Sequence, residues 1–149
     1  MSNDAVSVER VIPASPEAIF ELLVDPRRHR DLDGSGSVRD PKGDYERLAL
    51  GSKFGMSMKI GIPYSMESTV IEFEEGRRIA WQTWPPIGKF LAGGRIWCYE
   101  LEPVDGGTRV RETWDISRER QKWMVTRGRD STRTSMEQTL ENIENLCCE

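Results

Sequence analysis

The sequence predicts an α+β fold, and three observations carry the prediction. The chain opens with a strand followed by a helix; alternating segments joined by short turns fill Lys53 to Ile116; and a proline-free stretch from Arg118 to Cys148 repeats small or apolar residues at helical spacing. Consecutive antiparallel strands flanked by helices at one end and one side bury one face of a single sheet. A chain of 149 residues is the length of one domain, 1–149, and long enough to bury roughly 70% of its unfolded surface.

At the N-terminus Val6, Val8, Arg10 and Ile12 alternate with Ser7, Glu9 and Val11, a first strand that ends at Pro13. Ser15-Pro16-Glu17 then opens a helix with Ser15 as N-cap and Pro16 at the first helical position, and Ala18, Ile19, Leu22 and Leu23 form its expected buried face. Asp25-Pro26 ends that helix and begins a second short one containing His29. The Gly34-Ser35-Gly36 loop leads to a weak strand around Val38, and Asp40-Pro41-Lys42-Gly43 reads as a turn.

The clearer strands follow. From Lys53 to Ile62 every even residue is apolar, the mark of a half-buried strand. Between Tyr64 and Glu74 the apolar parity switches from even (Tyr64, Met66) to odd (Ile71, Phe73), which predicts a bulge near Val70. Glu74-Glu75-Gly76 fits a hairpin loop with Gly in the left-handed position, pairing Phe73 and Ile71 with Arg77 and Ile79, and Trp81 continues the buried face. Gly94 to Pro103 carries Trp97, Tyr99 and Leu101 on one face, and the Asp105-Gly106-Gly107 turn leads to a last strand, Thr108 to Ile116.

In the C-terminal helix Met124, Gly128, Thr132, Ser135, Thr139, Ile143 and Leu146 recur at three- and four-residue spacing. The ends of this stripe are bulky and its middle, Gly128 through Thr139, has little side chain. Gly in a helix interior costs about 1 kcal/mol relative to Ala, so the small residues predict space for a ligand against the sheet, a close helix-to-sheet contact, or a mid-helix stretch that faces water.

Twenty-one basic and 25 acidic residues give a net charge of −4. The arginine groups at 27, 28, 30 and at 127, 129, 133 are diluted by acidic neighbours and read as solvated faces, so no nucleic-acid surface is expected. The chain starts without a charged-then-apolar leader and has no apolar run of membrane-spanning length, so a cytoplasmic protein without stable membrane insertion is expected. Three cysteines, Cys98, Cys147 and Cys148, make neither an even disulfide framework nor a metal spacing. No metal and no cofactor is implied. His29 is the only histidine and sits in an arginine-rich stretch that reads as exposed; no nucleophile motif or phosphate-cradling loop is visible, and no catalytic residue is assigned.

Val8-Glu9-Arg10-Val11-Ile12-Pro13-Ala14-Ser15-Pro16-Glu17-Ala18-Ile19-Phe20 resembles the opening of the SRPBCC superfamily, which includes START domains, birch-pollen-allergen-like proteins and polyketide cyclase/dehydratase-like proteins. Arg78-Ile79-Ala80-Trp81, Gly106-Gly107-Thr108-Arg109-Val110 and the long terminal helix are also similar to that group, so the resemblance runs through nearly the whole chain. It implies a helix-grip fold: a curved seven-stranded antiparallel sheet around a long C-terminal helix, two short helices after the first strand, and a cavity between sheet and helix. The superfamily includes carriers, cyclases, hydroxylase partners and regulators, so it names a container and leaves the contents open.

Within that container the candidate ligand-binding residues are Phe54, Met56, Met58, Met66, Trp81, Trp97 and Trp114 as an apolar wall, Tyr64, Tyr99 and Glu112 as polar anchors, and Gly128, Thr132 and Ser135 on the helix. Tryptophan offers area plus one donor and methionine adapts its shape, which suits a flat or flexible apolar molecule; ordinary core packing explains the same residue types. The expected function is binding of a hydrophobic or aromatic small molecule, lipid-like or polyketide-like, as carrier or as cyclase/dehydratase-like enzyme, in a monomer or homodimer. The rival is an interaction module whose cavity its own side chains fill. The apolar loop Trp84 to Gly94 reads as a lid, a subunit contact or core packing. Finally, Arg10 and Glu112 are the charged members of otherwise apolar faces, and aligning Ile12 with Val110 and Val8 with Trp114 sets them opposite each other as a buried ion pair.

Overall fold

The computed structural model describes residues 5–35, 38–42, 46–60, 62–84, 94–117 and 128–148, the backbone alone at 38–42, 56–60 and 62–65. Strand β1 (Ala5–Ile12) is followed by helix α1 (Pro16–Leu23), a 3-10 turn (Pro26–Arg28) that runs into helix α2 (His29–Leu32), and strand β2 (Val38–Lys42). Strands β3 (Lys53–Ile60), β4 (Ile62–Glu74), β5 (Arg78–Trp84), β6 (Arg95–Val104) and β7 (Gly107–Asp115) come next, and helix α3 (Arg129–Cys147) closes the described chain. The strands form one antiparallel sheet of seven in the order β1-β7-β6-β5-β4-β3-β2. Every neighbour from β2 to β7 is consecutive in sequence, and β1 alone closes over a long separation onto β7. The architecture is α+β and helix-grip-like, as expected.

Local chemistry explains the elements. Ser15 caps α1 by accepting from the Ala18 amide at 3.2 Å, with Pro16 at the first position. The register of β4 against β5 slips between Val70 and Glu72, the expected bulge, and Gly76 turns the hairpin at φ +74°. Phe73 pairs with Ile79, however, because the turn spans Glu75 to Arg77, and the expected Phe73–Arg77 pairing is two residues out of register. Asp40 to Lys42 belong to β2 instead of a turn, since β3 pairs with them and absorbs Pro41 at a register shift. In α1 the buried face is Ile19, Phe20 and Leu23, while Ala18 is exposed; Phe20 turns inward to meet Phe73 edge-on at 5.6 Å.

Alternation along β6 and β7 sorts the sheet into two faces. Tyr99 and Leu101 of β6 and Val110, Glu112 and Trp114 of β7 are buried on the inner face, under the helices. The outer face of the same strands carries exposed or half-exposed ion pairs: Arg111 with Glu9, Arg109 with Glu102, and Arg78 with both Glu72 and Glu100. Helix α3 runs alongside β1 in the same direction. Arg129 at its start reaches the Ala5 carbonyl, Glu144 pairs with Arg10, and Cys148 lies against the Pro13 carbonyl. From Met136 onward it buries Met136, Thr139, Leu140 and Ile143, which lie with Ile12, Ile19, Phe20, Leu23, Ile79, Leu101 and Val110 in the interior.

The register of β1 on β7 overturns the expected ion pair. Arg10 stands opposite Val110, Val8 opposite Glu112 and Val6 opposite Trp114, a shift of two residues from the alignment on apolar positions. A two-residue slip preserves which face each side chain takes, so periodicity alone does not exclude it. Arg10 instead reaches outward to Glu144 of α3, N–O distance 3.0 Å.

Candidate functional site

The inner face of β5, β6 and β7 holds a connected set of rings. Trp81 is buried and stacks on the His29 imidazole, centroids 5.1 Å apart, and it meets Phe54 edge-on at 5.6 Å and Tyr99 tilted at 5.6 Å. Phe54 also meets His29 edge-on at 5.5 Å. Trp97 and Trp114, cross-strand partners on the same face, lie 6.2 Å apart. Strand parity produces this wall: β5 to β7 each place alternate residues inward, and the pairs Trp81–Trp97, Trp97–Trp114 and Tyr99–Glu112 sit directly opposite one another.

Glu112 is the polar centre of this wall. Its side chain is buried, 2% exposed. The Tyr99 hydroxyl donates to Oε2 at 2.9 Å, while Oε1 has no hydrogen-bond partner among the described residues. Burial lifts the carboxyl to about 8, the Tyr99 hydrogen bond pulls the other way, and the Asp33 charge adds to the lift. Glu112 is therefore mainly a neutral acid at neutral pH. Burial beside Glu112 raises the Tyr99 phenol well above its ordinary range, so it stays a donor. The Trp114 indole nitrogen is likewise buried with no hydrogen-bond partner among the described residues. Native structures pair the great majority of buried polar atoms, so two such orphans two residues apart on one face are unusual.

His29 is buried, contrary to the exposed position its arginine neighbours suggested, because Pro26, His29 and Leu32 fall on the inward side of a turn with three-residue spacing while the arginines between them point outward. Its Nε2–H donates to the Leu23 carbonyl at 2.8 Å, which fixes the tautomer, and burial lowers its pKa, so the ring is neutral. The three-residue spacing was the available signal for this contact.

The helix residues divide. Gly128 is the N-cap of α3 and not a mid-helix residue, and Thr132 and Ser135 are half-buried; residues 118–127 of the expected longer helix lie outside the described residues. Further along, the small side chains admit a neighbour. The Gly34 amide donates to Thr139 Oγ1 at 2.8 Å, and that hydroxyl donates to the Ser135 carbonyl at 3.0 Å. A Cβ on Gly34 would sit 2.1 Å from the Ser135 oxygen, so the Gly34 turn occupies the notch that Ser135 and Thr139 leave. Among the remaining candidates Met66 is half-buried, and Met56, Met58 and Tyr64 lie outside the described side chains, as do loop residues 85–93.

A surface groove of about 320 Å³ lies elsewhere, on the outer face between Glu9, Arg78, Glu100, Glu102, Arg109 and Arg111. Arg78, Arg109 and Arg111 are already paired with its own carboxylates, and with Glu74 and Arg77 the lining carries as many acidic as basic side chains, so it presents no net charge to a partner. Among the described residues no group of three or more His, Cys, Asp and Glu side chains is placed to hold a metal, and no helix is long and apolar enough to cross a membrane.

A seven-stranded sheet with one long helix against its aromatic face defines an SRPBCC-type protein. The chain belongs to the family described as polyketide cyclase/dehydrase and lipid transport, whose model matches residues 4–147. Over 111 residues it is 39% identical to the uncharacterized protein Rv0088 of Mycobacterium tuberculosis, a match that covers 73% of this chain and 45% of that protein. The chain thus spans about half the length of that curated relative. Among solved structures it resembles a protein from Rhodobacter sphaeroides, TM-score 0.75 at 18% identity over 97% of this chain and 92% of the other. It also resembles the Aha1 dimer from Colwellia psychrerythraea, TM-score 0.68 at 18% identity over 96% and 95%. These structural likenesses concern the fold alone.

Proposed function

We propose that the chain binds a hydrophobic or aromatic small molecule, lipid-like or polyketide-like, between the inner face of the sheet and the start of α3 ahead of Met136, as carrier or as cyclase/dehydratase-like enzyme. One observation carries the reading: Phe54, Trp81, Trp97 and Trp114 gather large rings on the sheet, while Gly128 and Thr132, ahead of the Gly34 contact at Ser135, give the start of α3 short side chains. Rings on one side and short side chains on the other favour an apolar guest. The family description, which names both cyclases and lipid transport, supports the same class. A reducing, cytoplasmic setting is part of the proposal, and free Cys98, Cys147 and Cys148 are compatible with it.

A thermal-shift screen against aromatic polyketides, fatty acids and isoprenoids tests the reading, because a molecule that binds only the folded state raises its stability. A stabilising compound whose mass appears on the protein in native mass spectrometry is the expected result, and analysis of that compound after incubation separates carriage from cyclisation. The second reading is an interaction module with a self-filled interior, and the Gly34 turn seated on Ser135 and Thr139 favours it. No shift with any class, together with a stable protein partner, would replace the first reading with the second.

A further inference from the structure

We infer that Glu112 and Trp114 form a two-donor grip for an acceptor oxygen, a ketone or similar neutral carbonyl, on the apolar guest. The inference rests on the proposed small-molecule site and names the polar group its ligand must carry. Glu112 Oε1 and Trp114 Nε1 are both buried and both lack a hydrogen-bond partner among the described residues. The two residues alternate with Thr113 along β7, so their backbones lie about 7 Å apart along one face of the strand, and the Trp97 ring flanks Trp114 there.

The chemistry of the two atoms selects the guest. An indole nitrogen only donates. Glu112 accepts the Tyr99 proton on Oε2, which leaves Oε1 to carry the acid proton in the neutral form that its burial favours, so Oε1 is the second donor. An amine or ammonium would offer another donor to Trp114 and find no acceptor there. An anion would have to shed its water beside the Asp33 charge that Glu112 senses, while Arg10, the nearby cation of β1, is engaged by Glu144. A neutral carbonyl meets both donors and brings no charge inside.

The test compares acetylnaphthalene with ethylnaphthalene, molecules of the same outline that differ in the carbonyl, binding to the full chain by calorimetry. The ketone is expected to bind about tenfold tighter, the scale of one net hydrogen bond, and to move the Trp114 indole N–H resonance, which the hydrocarbon leaves in place. Trp114→Phe and Glu112→Leu should each bring the ketone down toward the hydrocarbon. Glu112→Gln, which keeps a donor and the shape, should retain the preference and serves as the folded control. Equal affinity for the two naphthalenes in the native protein, or a ketone preference that Trp114→Phe and Glu112→Leu leave unmoved, would overturn the grip while leaving the small-molecule site standing. Binding of neither compound nor of any apolar class would take away the site and the grip with it.

Discussion

Two places beneath α3 put short or polar groups in the interior, and the protein treats them in opposite ways. At Ser135 and Thr139 the Gly34 turn presses in until backbone touches backbone, and the Gly34 amide, the Thr139 hydroxyl and the Ser135 carbonyl hydrogen-bond in series. At Glu112 and Trp114, nearer the start of the helix, one carboxyl oxygen and one indole nitrogen are buried and find no partner among the described residues. The first arrangement is finished. The second is costly as it stands, since an unpaired buried polar group loses about 1–3 kcal/mol of solvation. Small side chains, taken alone, do not mark a binding site; unmet hydrogen-bonding capacity in an apolar wall is the better marker.

The largest effect separating the two regions should be a pH dependence that belongs to Glu112. Its folded-state pKa is raised from 4.5 to about 8, so the native state keeps a proton that the unfolded chain releases. Its contribution to stability is complete below pH 4.5 and is lost as pH rises through 8. The lowered pKa of His29 works with the opposite sign, costing stability as pH falls below 6.5. Subtracting the urea-unfolding curve of Glu112→Gln cancels the histidine. The difference, wild type minus variant, should fall by roughly 5 kcal/mol across the Glu112 window. A flat difference would mean that Glu112 is solvated and the contrast between the two regions is lost.

Next in size is Gly34→Ala. The new methyl would lie 2.1 Å from the Ser135 oxygen and 2.7 Å from the Thr139 nitrogen, both backbone atoms that cannot rotate away. Overpacking of this kind should destabilise the fold by roughly 3 kcal/mol, read from denaturant unfolding, with no change in how the folded protein binds an apolar guest. Unaltered stability would show that the contact is loose and that the helix stripe has room to spare. Thr139→Val is gentler. It keeps the shape but removes the acceptor for the Gly34 amide, and should cost about 1–2 kcal/mol and speed hydrogen exchange at that amide.

These contrasts mark how far the sequence could be read. The parity of β6 and β7, the Ser15 cap, the left-handed Gly76 and the bulge at Val70 are local, set by a few neighbouring residues, and appear where the pattern put them, although the turn around Gly76 starts one residue later than expected. The inward position of Trp81, Tyr99, Glu112 and Trp114 also follows from alternation, because a period of two assigns a face without knowing the partner. What alternation leaves open is register: sliding β1 by two residues keeps Arg10 on the same face and changes its partner from Glu112 to Glu144. His29 was hidden for a related reason. Three arginines around it outweigh a three-residue spacing that only a tight turn makes meaningful. The Gly34 contact joins residues about a hundred positions apart, and nothing in either segment names the other.

The smallest predicted effect tests whether Glu112 is isolated from cations, as the contrast requires. Arg10 and Glu144 retain side-chain exposures of 39% and 28%, so water screens their 3.0 Å contact. A double-mutant cycle with Arg10→Met and Glu144→Gln should give a coupling of about 0.5 kcal/mol that fades in high salt. The same cycle between Arg10→Met and Glu112→Gln should give no coupling at neutral pH, because Arg10 is only a diagonal neighbour of Glu112 and is engaged by Glu144, and the Glu112 carboxyl is mainly uncharged there. Raising the pH above 8 ionises Glu112 and removes the second reason while leaving the first. A coupling that emerges only in alkali would mean that Arg10 can swing from Glu144 to the buried carboxylate, giving the unmatched oxygen a partner inside the protein and making the two regions beneath the helix alike.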